Sequence, residues 1–423
     1  MADAVEPAST IDPDGVYSLG SSAGESSRLQ RQADELLAAN ARLLDRAPLG
    51  ARGAAANPWS EARRIRHPNR RTKRSSMMRA VKLVSPGTLG LKEVDIPQPG
   101  PGEVRIKIAG AGLCHSDLHV LHLGDEWPFF GGTIGHEGAG WVDAVGPGVA
   151  GFRMGEAVIV MVLWGCGNCR ACVEGRENAC EVNGSRTQFP TTAGLGPDGA
   201  MADYMLVGAR YLDKLGDLDP VTSAPFADAG ATPMHAINSA RHRLTPGATV
   251  VAIGIGGLGH LGLQILKATT GARIIALDND EKKLAVAREL GADLVLMSDA
   301  DAAQRILDET GAYGVDVVID FVGVQSTVDL ATEVIAPEGL IRLVGLGGGR
   351  FTLYANTDGA ALPWGVNVQR PYGGTREDLA QVLALAREGK LKIETAQYPL
   401  EEYQRAFDDL AAGRVTGRAV LVP

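Results

Sequence analysis

Four of the five cysteines fall within fifteen residues, as Cys166-x2-Cys169-x2-Cys172-x7-Cys180, and the fifth, Cys114, stands alone in Cys114-His115-Ser116-Asp117. Thiolates at this density in a long chain without a secretory signal read as a metal cage rather than a disulfide framework. Four sulfurs suit a closed tetrahedral zinc site, and a closed site is structural because no position is left for a substrate. Cys114 needs other partners. Gly135-His136-Glu137 follows twenty-two positions later, and Asp228 lies far downstream in Ala224-Pro225-Phe226-Ala227-Asp228-Ala229-Gly230. One thiolate, one imidazole and one carboxylate leave a fourth zinc position open, which metal catalysis requires.

A second chemistry lies in Gly254-Ile255-Gly256-Gly257-Leu258-Gly259, which follows an apolar strand, opens a helix and fits G-x-G-x-x-G. Gly254 and Gly256 allow a tight turn and close backbone approach to a pyrophosphate, and Gly259 lets helix and strand pack. The pyrophosphate then sits at the positive N-terminus of the helix. Asp278 ends the next strand, nineteen residues after Gly259. Its carboxylate suits the adenosine ribose hydroxyls and repels a 2′-phosphate, so NAD is expected over NADP. Lys283, five residues on, is within reach of the same ribose.

These groups need two kinds of scaffold. Between Met78 and about Ala227, short β-runs punctuated by Gly and Pro (Glu103–Ala109, Ala139–Val145, Ala157–Met161) predict a barrel-like β domain. From about Thr245 strands alternate with helices. Thr249–Gly254, Arg273–Asp278, Val315–Asp320 and Gly339–Gly345 are the strands; one helix runs through Lys267 and another over Asp280–Leu290. That alternation predicts a parallel, doubly wound sheet, so the fold class is α/β with a β-rich first domain. The stretches Arg376–Lys390 and Ala406–Pro423 read as a helix plus short strands returning to the first domain.

Residues 1–76 read differently, as a low-complexity extension rich in Ser, Ala, Pro and charge. Within it Ser27–Arg46 has leucines at near-helical spacing, and Arg63–Arg66 and Arg70–Arg74 form a basic run. Met77 or Met78, at the head of the strand Met78–Val84, is an alternative start of translation. The extension carries 12 Lys and Arg against 9 Asp and Glu, so the overall charge of −9 leaves −12 on residues 77–423. An acidic body argues against nucleic acid as a partner. No apolar run reaches the roughly 18 residues of a membrane helix. The N-terminus lacks a basic, apolar leader, and metal-type cysteine usage points to the cytoplasm.

Residues 78–423 resemble the zinc-dependent medium-chain alcohol dehydrogenases. The resemblance is carried by Gly112-Leu113-Cys114-His115-Ser116-Asp117-Leu118-His119, Gly135-His136-Glu137-Gly138-Ala139-Gly140, the four-cysteine lobe, and Gly254–Gly259 followed by Asp278. It implies a GroES-like catalytic domain over 77–227, with a structural zinc lobe at 164–181, and a Rossmann domain binding NAD over 228–362. The catalytic domain resumes over 363–423, and the active site lies in the cleft between the two. It also implies two Zn2+ per subunit, one catalytic and one structural, and a homodimer or homotetramer.

Position by position, the resemblance makes Cys114, His136 and Asp228 the catalytic zinc ligands. Many relatives carry cysteine where Asp228 stands; aspartate there is similar to some bacterial secondary-alcohol dehydrogenases. Cys166, Cys169, Cys172 and Cys180 match the structural zinc ligands. Glu137 matches a near-metal glutamate, and Asp117 a carboxylate that orients a ligand histidine. The implied reaction passes hydride between a carbinol carbon and the nicotinamide, giving an aldehyde or ketone. Ser116 and His119 match a proton relay, for which an imidazole titrating near neutrality is suited. His115 and Arg418 match pyrophosphate contacts, and Thr232 a nicotinamide-side contact. Gly256, Gly257 and Leu258 belong to the coenzyme loop. Trp127, Trp164 and Tyr372 fall in pocket-lining segments, with Gly373 leaving room beside Tyr372. The same scaffold also serves polyol and formaldehyde-type dehydrogenases. A reading from another class is a non-catalytic NAD-binding redox sensor.

Overall fold

The computed structural model describes residues 76–423 apart from 124–126, 128, 189 and 354–361. The leucine-spaced segment and the basic run of the N-terminal extension lie outside the described residues. The chain forms two compact units, one from residues up to His235 together with Tyr372–Pro423, the other from Ala236–Pro371.

The first unit begins with the antiparallel pair β1 (Met77–Ser85) and β2 (Thr88–Asp95). Then come β3 (Glu103–Leu113), helix α1 (His115–His122), β4 (Glu137–Val145), β5 (Ala157–Val160), β6 (Tyr204–Gly208) and β7 (Leu212–Lys214). Helix α2 (Ala231–Ala240) leads out of this unit. The second unit is β8 (Thr249–Ile253), α3 (Gly259–Thr269), β9 (Arg273–Asp278), α4 (Glu281–Glu289), β10 (Leu294–Met297), α5 (Ala302–Glu309), β11 (Val315–Asp320), α6 (Gln325–Val334), β12 (Ile335–Leu343) and β13 (Asn367–Gln369). The first unit is completed by α7 (Arg376–Arg387), β14 (Thr395–Pro399), α8 (Tyr403–Ala411) and β15 (Arg418–Val422).

The larger sheet of the first unit has the order β14-β15-β3-β4-β5-β7, with β6 also on β3. All its pairings are antiparallel except β14 with β15. Its inward faces bury Val104, Ile106, Ile108, Val142, Val158, Val160, Met205 and Leu421 in one core. The register sets Gly112 beside Glu137 and Leu113 beside Ala419, which brings the segments after β3, at the start of β4 and at the start of β15 to one place.

The second unit is a six-stranded parallel sheet ordered β10-β9-β8-β11-β12-β13. Val251, Ile253, Ile275, Val318 and Ile341 are fully buried, as parallel strands covered on both faces must be. The strand order reverses between β8 and β11. At such a switch point an open α/β sheet has a crevice at the carboxyl ends of its strands. Residues 254–258 leave β8 there.

Candidate metal and coenzyme sites

The site grows from the end of β3. Cys114 N-caps α1, and Asp117, one turn in, receives the Cys114 backbone N–H on Oδ2 at 2.9 Å. The other Asp117 oxygen lies 3.1 Å from His136 Nδ1. A buried carboxylate there fixes the proton on Nδ1 and leaves the Nε2 lone pair for a ligand. Asp117 raises the proton affinity of His136 well above its ordinary value, overcoming the desolvation that opposes it.

Asp228 arrives from the turn before α2. Its Oδ1 accepts from Thr232 Oγ1 at 2.6 Å, and its Oδ2 lies 3.5 Å from Cys114 Sγ and 3.6 Å from His136 Nε2. The three donor atoms lie within 4.8 Å of one another. Zinc bonds of about 2.0–2.3 Å set mixed S, N and O corners of a tetrahedron about 3.4–3.6 Å apart. The spacing fits. Burial opposes ionisation of Asp228, but His136 and Arg418 outweigh it and hold the carboxyl below its ordinary range. Ser116 Oγ stands 3.7 Å from Cys114 Sγ, and His119 follows it by three residues on α1.

Arg418 and Glu137 form a buried pair. Arg418 is 3 % exposed and Glu137 0 %. Arg418 Nε donates to Glu137 Oε2 at 3.1 Å, and Nη2 donates to Oε1. Glu137 Oε1 also accepts the Ala229 N–H at 3.2 Å. Burial raises the Glu137 carboxyl, an effect Arg418 partly offsets. Arg418 Nη2 is also 3.7 Å from Asp228 Oδ2. The resemblance gave Arg418 to the pyrophosphate and Thr232 to the nicotinamide. Here the guanidinium is engaged with Glu137, and the Thr232 hydroxyl holds Asp228. His115 is exposed at the start of α1.

The four remaining sulfurs also converge within 4.8 Å of one another. Zinc–sulfur bonds of about 2.3 Å set tetrahedral corners about 3.8 Å apart. Cys166 and Cys172 Sγ are 4.0 Å apart, and Cys169 and Cys180 Sγ 3.9 Å, too far for disulfides. Backbone N–H groups of Cys166 and Asn183 point at Cys180 Sγ, and that of Cys169 at Cys166 Sγ. N–H groups of Cys172 and Glu181 draw the Cys169 thiol down to about 6, while burial pushes Cys172 up to about 12. Crowded thiols cannot all ionise unaided; a divalent cation resolves that conflict.

In the second unit the fingerprint glycines have physical reasons. Gly254 has φ +88°, and a Cβ on Gly259 would meet Gly254 O at 1.8 Å. Gly256 is different: nothing lies within 4 Å of where its Cβ would be, which leaves the backbone open to a ligand. Leu258 precedes α3, whose first turn starts at Gly259. Asp278 is 5 % exposed at the end of β9; its Oδ2 accepts from Ile255 N at 2.7 Å and its Oδ1 from Asp280 N at 3.1 Å. Lys283 Nζ stands 3.6 Å from Asp278 Oδ1. Gly loop and carboxylate are thus one hydrogen-bonded unit, suited to pyrophosphate and ribose.

Of the pocket-lining candidates, Trp164 stacks on Tyr211 with ring centroids 5.0 Å apart, and Trp127 packs edge-on to Phe129 at 5.5 Å. Tyr372 is hydrogen-bonded to Thr192 and lies close enough to Asp228 and His136 to respond to their charges.

The β-rich unit thus bears two metal-type donor sets, and the doubly wound unit a dinucleotide-type glycine loop. Residues 100–217 match the family model described as alcohol dehydrogenase GroES-like domain, and residues 257–388 the one described as zinc-binding dehydrogenase. An NAD-dependent alcohol dehydrogenase of Sulfurisphaera tokodaii is 37 % identical over 365 residues, 82 % of this chain and 100 % of the relative. D-arabinose 1-dehydrogenase (NADP(+)) of Saccharolobus solfataricus is 37 % identical over 79 % of this chain and 94 % of its own length. The crystal structure of an alcohol dehydrogenase from Aeropyrum pernix superposes with a TM-score of 0.74 at 35 % identity, covering 82 % of this chain and all of that one. The chain belongs to the zinc-dependent medium-chain alcohol dehydrogenase family and is an oxidoreductase. Among the described residues, no helix is long and apolar enough to cross a membrane.

Proposed function

We propose that this chain is an NAD-dependent, zinc-assisted dehydrogenase that interconverts a small primary or secondary alcohol with its aldehyde or ketone. The observation that carries the reading is the convergence of Cys114 Sγ, His136 Nε2 and Asp228 Oδ2. Zinc held by these three, with NAD on the Gly254–Gly259 loop and Asp278, supplies Lewis-acid polarisation of the substrate oxygen and a hydride acceptor. The four cysteines hold a second, structural zinc, giving two per subunit.

The chain's own residues do the rest. Asp117 holds the His136 proton on Nδ1, so that Nε2 is the nitrogen turned toward the metal. Thr232 fixes the Asp228 carboxylate, and His136 and Arg418 keep it ionised. Ser116 Oγ would accept the substrate hydroxyl proton while giving up its own, and His119, one helical turn on, would carry that proton outward through the nicotinamide ribose. Glu137, clasped by Arg418 and the Ala229 N–H, is a buried anion behind the ligand set. Asp278 favours NAD over NADP. His115 lies on the solvent side of α1, where a coenzyme phosphate is the anion it suits.

We assign a homodimer or homotetramer, supported by the short edge strand β13 and the 76 %-exposed Trp364 close before it. Five free cysteines suit a cytoplasmic setting. The relative acting on D-arabinose supports a second substrate reading, a polyol.

The test is NADH formation by the zinc-replete protein across short primary, secondary and aryl alcohols and polyols, with NAD or NADP, before and after chelation. Turnover that needs NAD and stops on chelation is expected, and the rank order names the substrate. Silence across the panel with zinc and NADH both bound would refute the catalytic reading and favour a redox sensor.

A further inference from the structure

A chain of part-buried hydrogen bonds leaves the four-cysteine lobe and reaches the helix that follows Asp228. Asn178 lies in the lobe between Cys172 and Cys180. Its amide Nδ2 is 3.1 Å from the Tyr372 carbonyl and 2.9 Å from His235 Nε2. The carbonyl fixes the amide orientation, because only the NH2 group can face it. Both N–H groups are then spent as donors, so His235 Nε2 accepts and its proton sits on Nδ1. Nδ1 then donates to Asp378 Oδ2 at 2.8 Å. Asp378 Oδ2 also takes the Thr375 N–H at 2.9 Å and the Thr375 hydroxyl at 2.7 Å, the capping box of α7.

His235 lies on α2, one turn beyond Thr232. Thr232 donates its N–H to Asp228 O at 2.9 Å and its hydroxyl to Asp228 Oδ1. The placement of α2 therefore sets the placement of the Asp228 carboxylate. We propose that Asn178 is a positioning residue for the Cys114–His136–Asp228 site, transmitting the folded geometry of the four-cysteine lobe through His235 and α2 to Asp228, and holding the main chain at Tyr372. The link is a set of hydrogen bonds joined by one helix, a packed element through which coupling can be carried. It rests on the reading that these three residues hold a metal and not on alcohol turnover.

The experiment uses the full chain loaded with Co2+ alone as the probe, in wild type, Asn178→Leu and Asn178→Ala. Leu keeps most of the volume and removes both donors; Ala covers the case in which Leu packs badly. The one-thiolate and four-thiolate sites differ in charge-transfer intensity, so each is read separately in absorbance. The expected result is an unchanged four-thiolate spectrum with shifted ligand-field bands at the one-thiolate site. Co2+ leaves that site for a chelator about threefold to tenfold faster, less than the tenfold or more that follows loss of a ligand's direct partner. A one-thiolate spectrum and loss rate equal to wild type in the variant that folds, whatever its melting temperature, would overturn the proposal and leave Asn178 a stabilising contact. Absence of Co2+ from the one-thiolate site of wild type would refute the metal reading and the proposal with it. A missing alcohol activity alone would touch neither.

Discussion

Replacing Arg418 with leucine separates what the geometry says of this residue from what the family resemblance implies. Arg418 and Glu137 are both removed from solvent and joined by two charge-assisted hydrogen bonds. Truncating one partner of such a pair leaves an uncompensated buried charge, at a cost of about 3–5 kcal/mol. At about 2–3 °C per kcal/mol for a domain of this size, Arg418→Leu is expected to lower Tm by roughly 6–15 °C. The second arm is Arg418→Leu with Glu137→Gln. Removing the charge left behind is expected to recover at least about 1.5 kcal/mol, giving a coupling energy well above the few tenths found for independent sites. Urea unfolding of the four proteins of the cycle, at fixed zinc and without coenzyme, measures both quantities. A pure pyrophosphate contact predicts the opposite: stability within about 1 kcal/mol of wild type, additive effects, and a weakened NAD affinity. That outcome would refute the buried-pair account.

The remaining predictions use other parts of the molecule. Burial opposes the Asp378 charge, but His235 and the Thr375 hydrogen bonds hold its carboxyl below the ordinary 3.8. A depressed carboxyl stabilises the fold above its unfolded value, and that stability is lost as pH falls through the folded one. Asp378→Asn should therefore be less stable than wild type at pH 7, with the gap closing in denaturant titrations as pH falls below the ordinary carboxyl value. Asp228→Ala should keep the fold while turnover falls at least about 100-fold, whereas Cys172→Ala should lose one metal by native mass spectrometry and several degrees of Tm. Asp278→Asn keeps an acceptor for the Ile255 N–H but removes the charge; NAD over NADP preference, measured as the kcat/KM ratio, should fall about tenfold.

Much of the scaffold was legible because central parallel strands announce themselves. Arg273–Asp278 and Val315–Asp320 are covered on both faces, so each is an apolar run with clear ends, and the observed β9 and β11 have those bounds. Where glycine or proline interrupts a strand, the pattern misleads. β3 was expected to end at Ala109 but runs on to Leu113, because β15 and β4 pair with its last residues. β12 was expected from Gly339 but starts at Ile335, ahead of Pro337, where the ladder slips and Glu338 takes φ +59°. The segment from Ala406 was expected to form short strands, yet α8 occupies Tyr403–Ala411 and only β15 is extended.

The donor sets were legible for a related reason: few residue types bind metal, and five cysteines leave few ways to divide them. What supports the donors was not. Thr232 is visible from Asp228 only as an i+4 neighbour, and nothing local marks Arg418 as the partner of a glutamate 281 positions away. Thr375 and Asp378 do carry the spacing of a capping box, but that spacing predicts a helix start and not a bond to His235. Asn178, His235 and Asp378 come from three separate stretches, so only the closed sheet and the packed lobe bring them together. A sequence exposes the residues that must be one chemical type; those that merely hold them depend on the fold. The supporting residues are accordingly where measurement adds most, because their substitution changes geometry while leaving every proposed ligand in place.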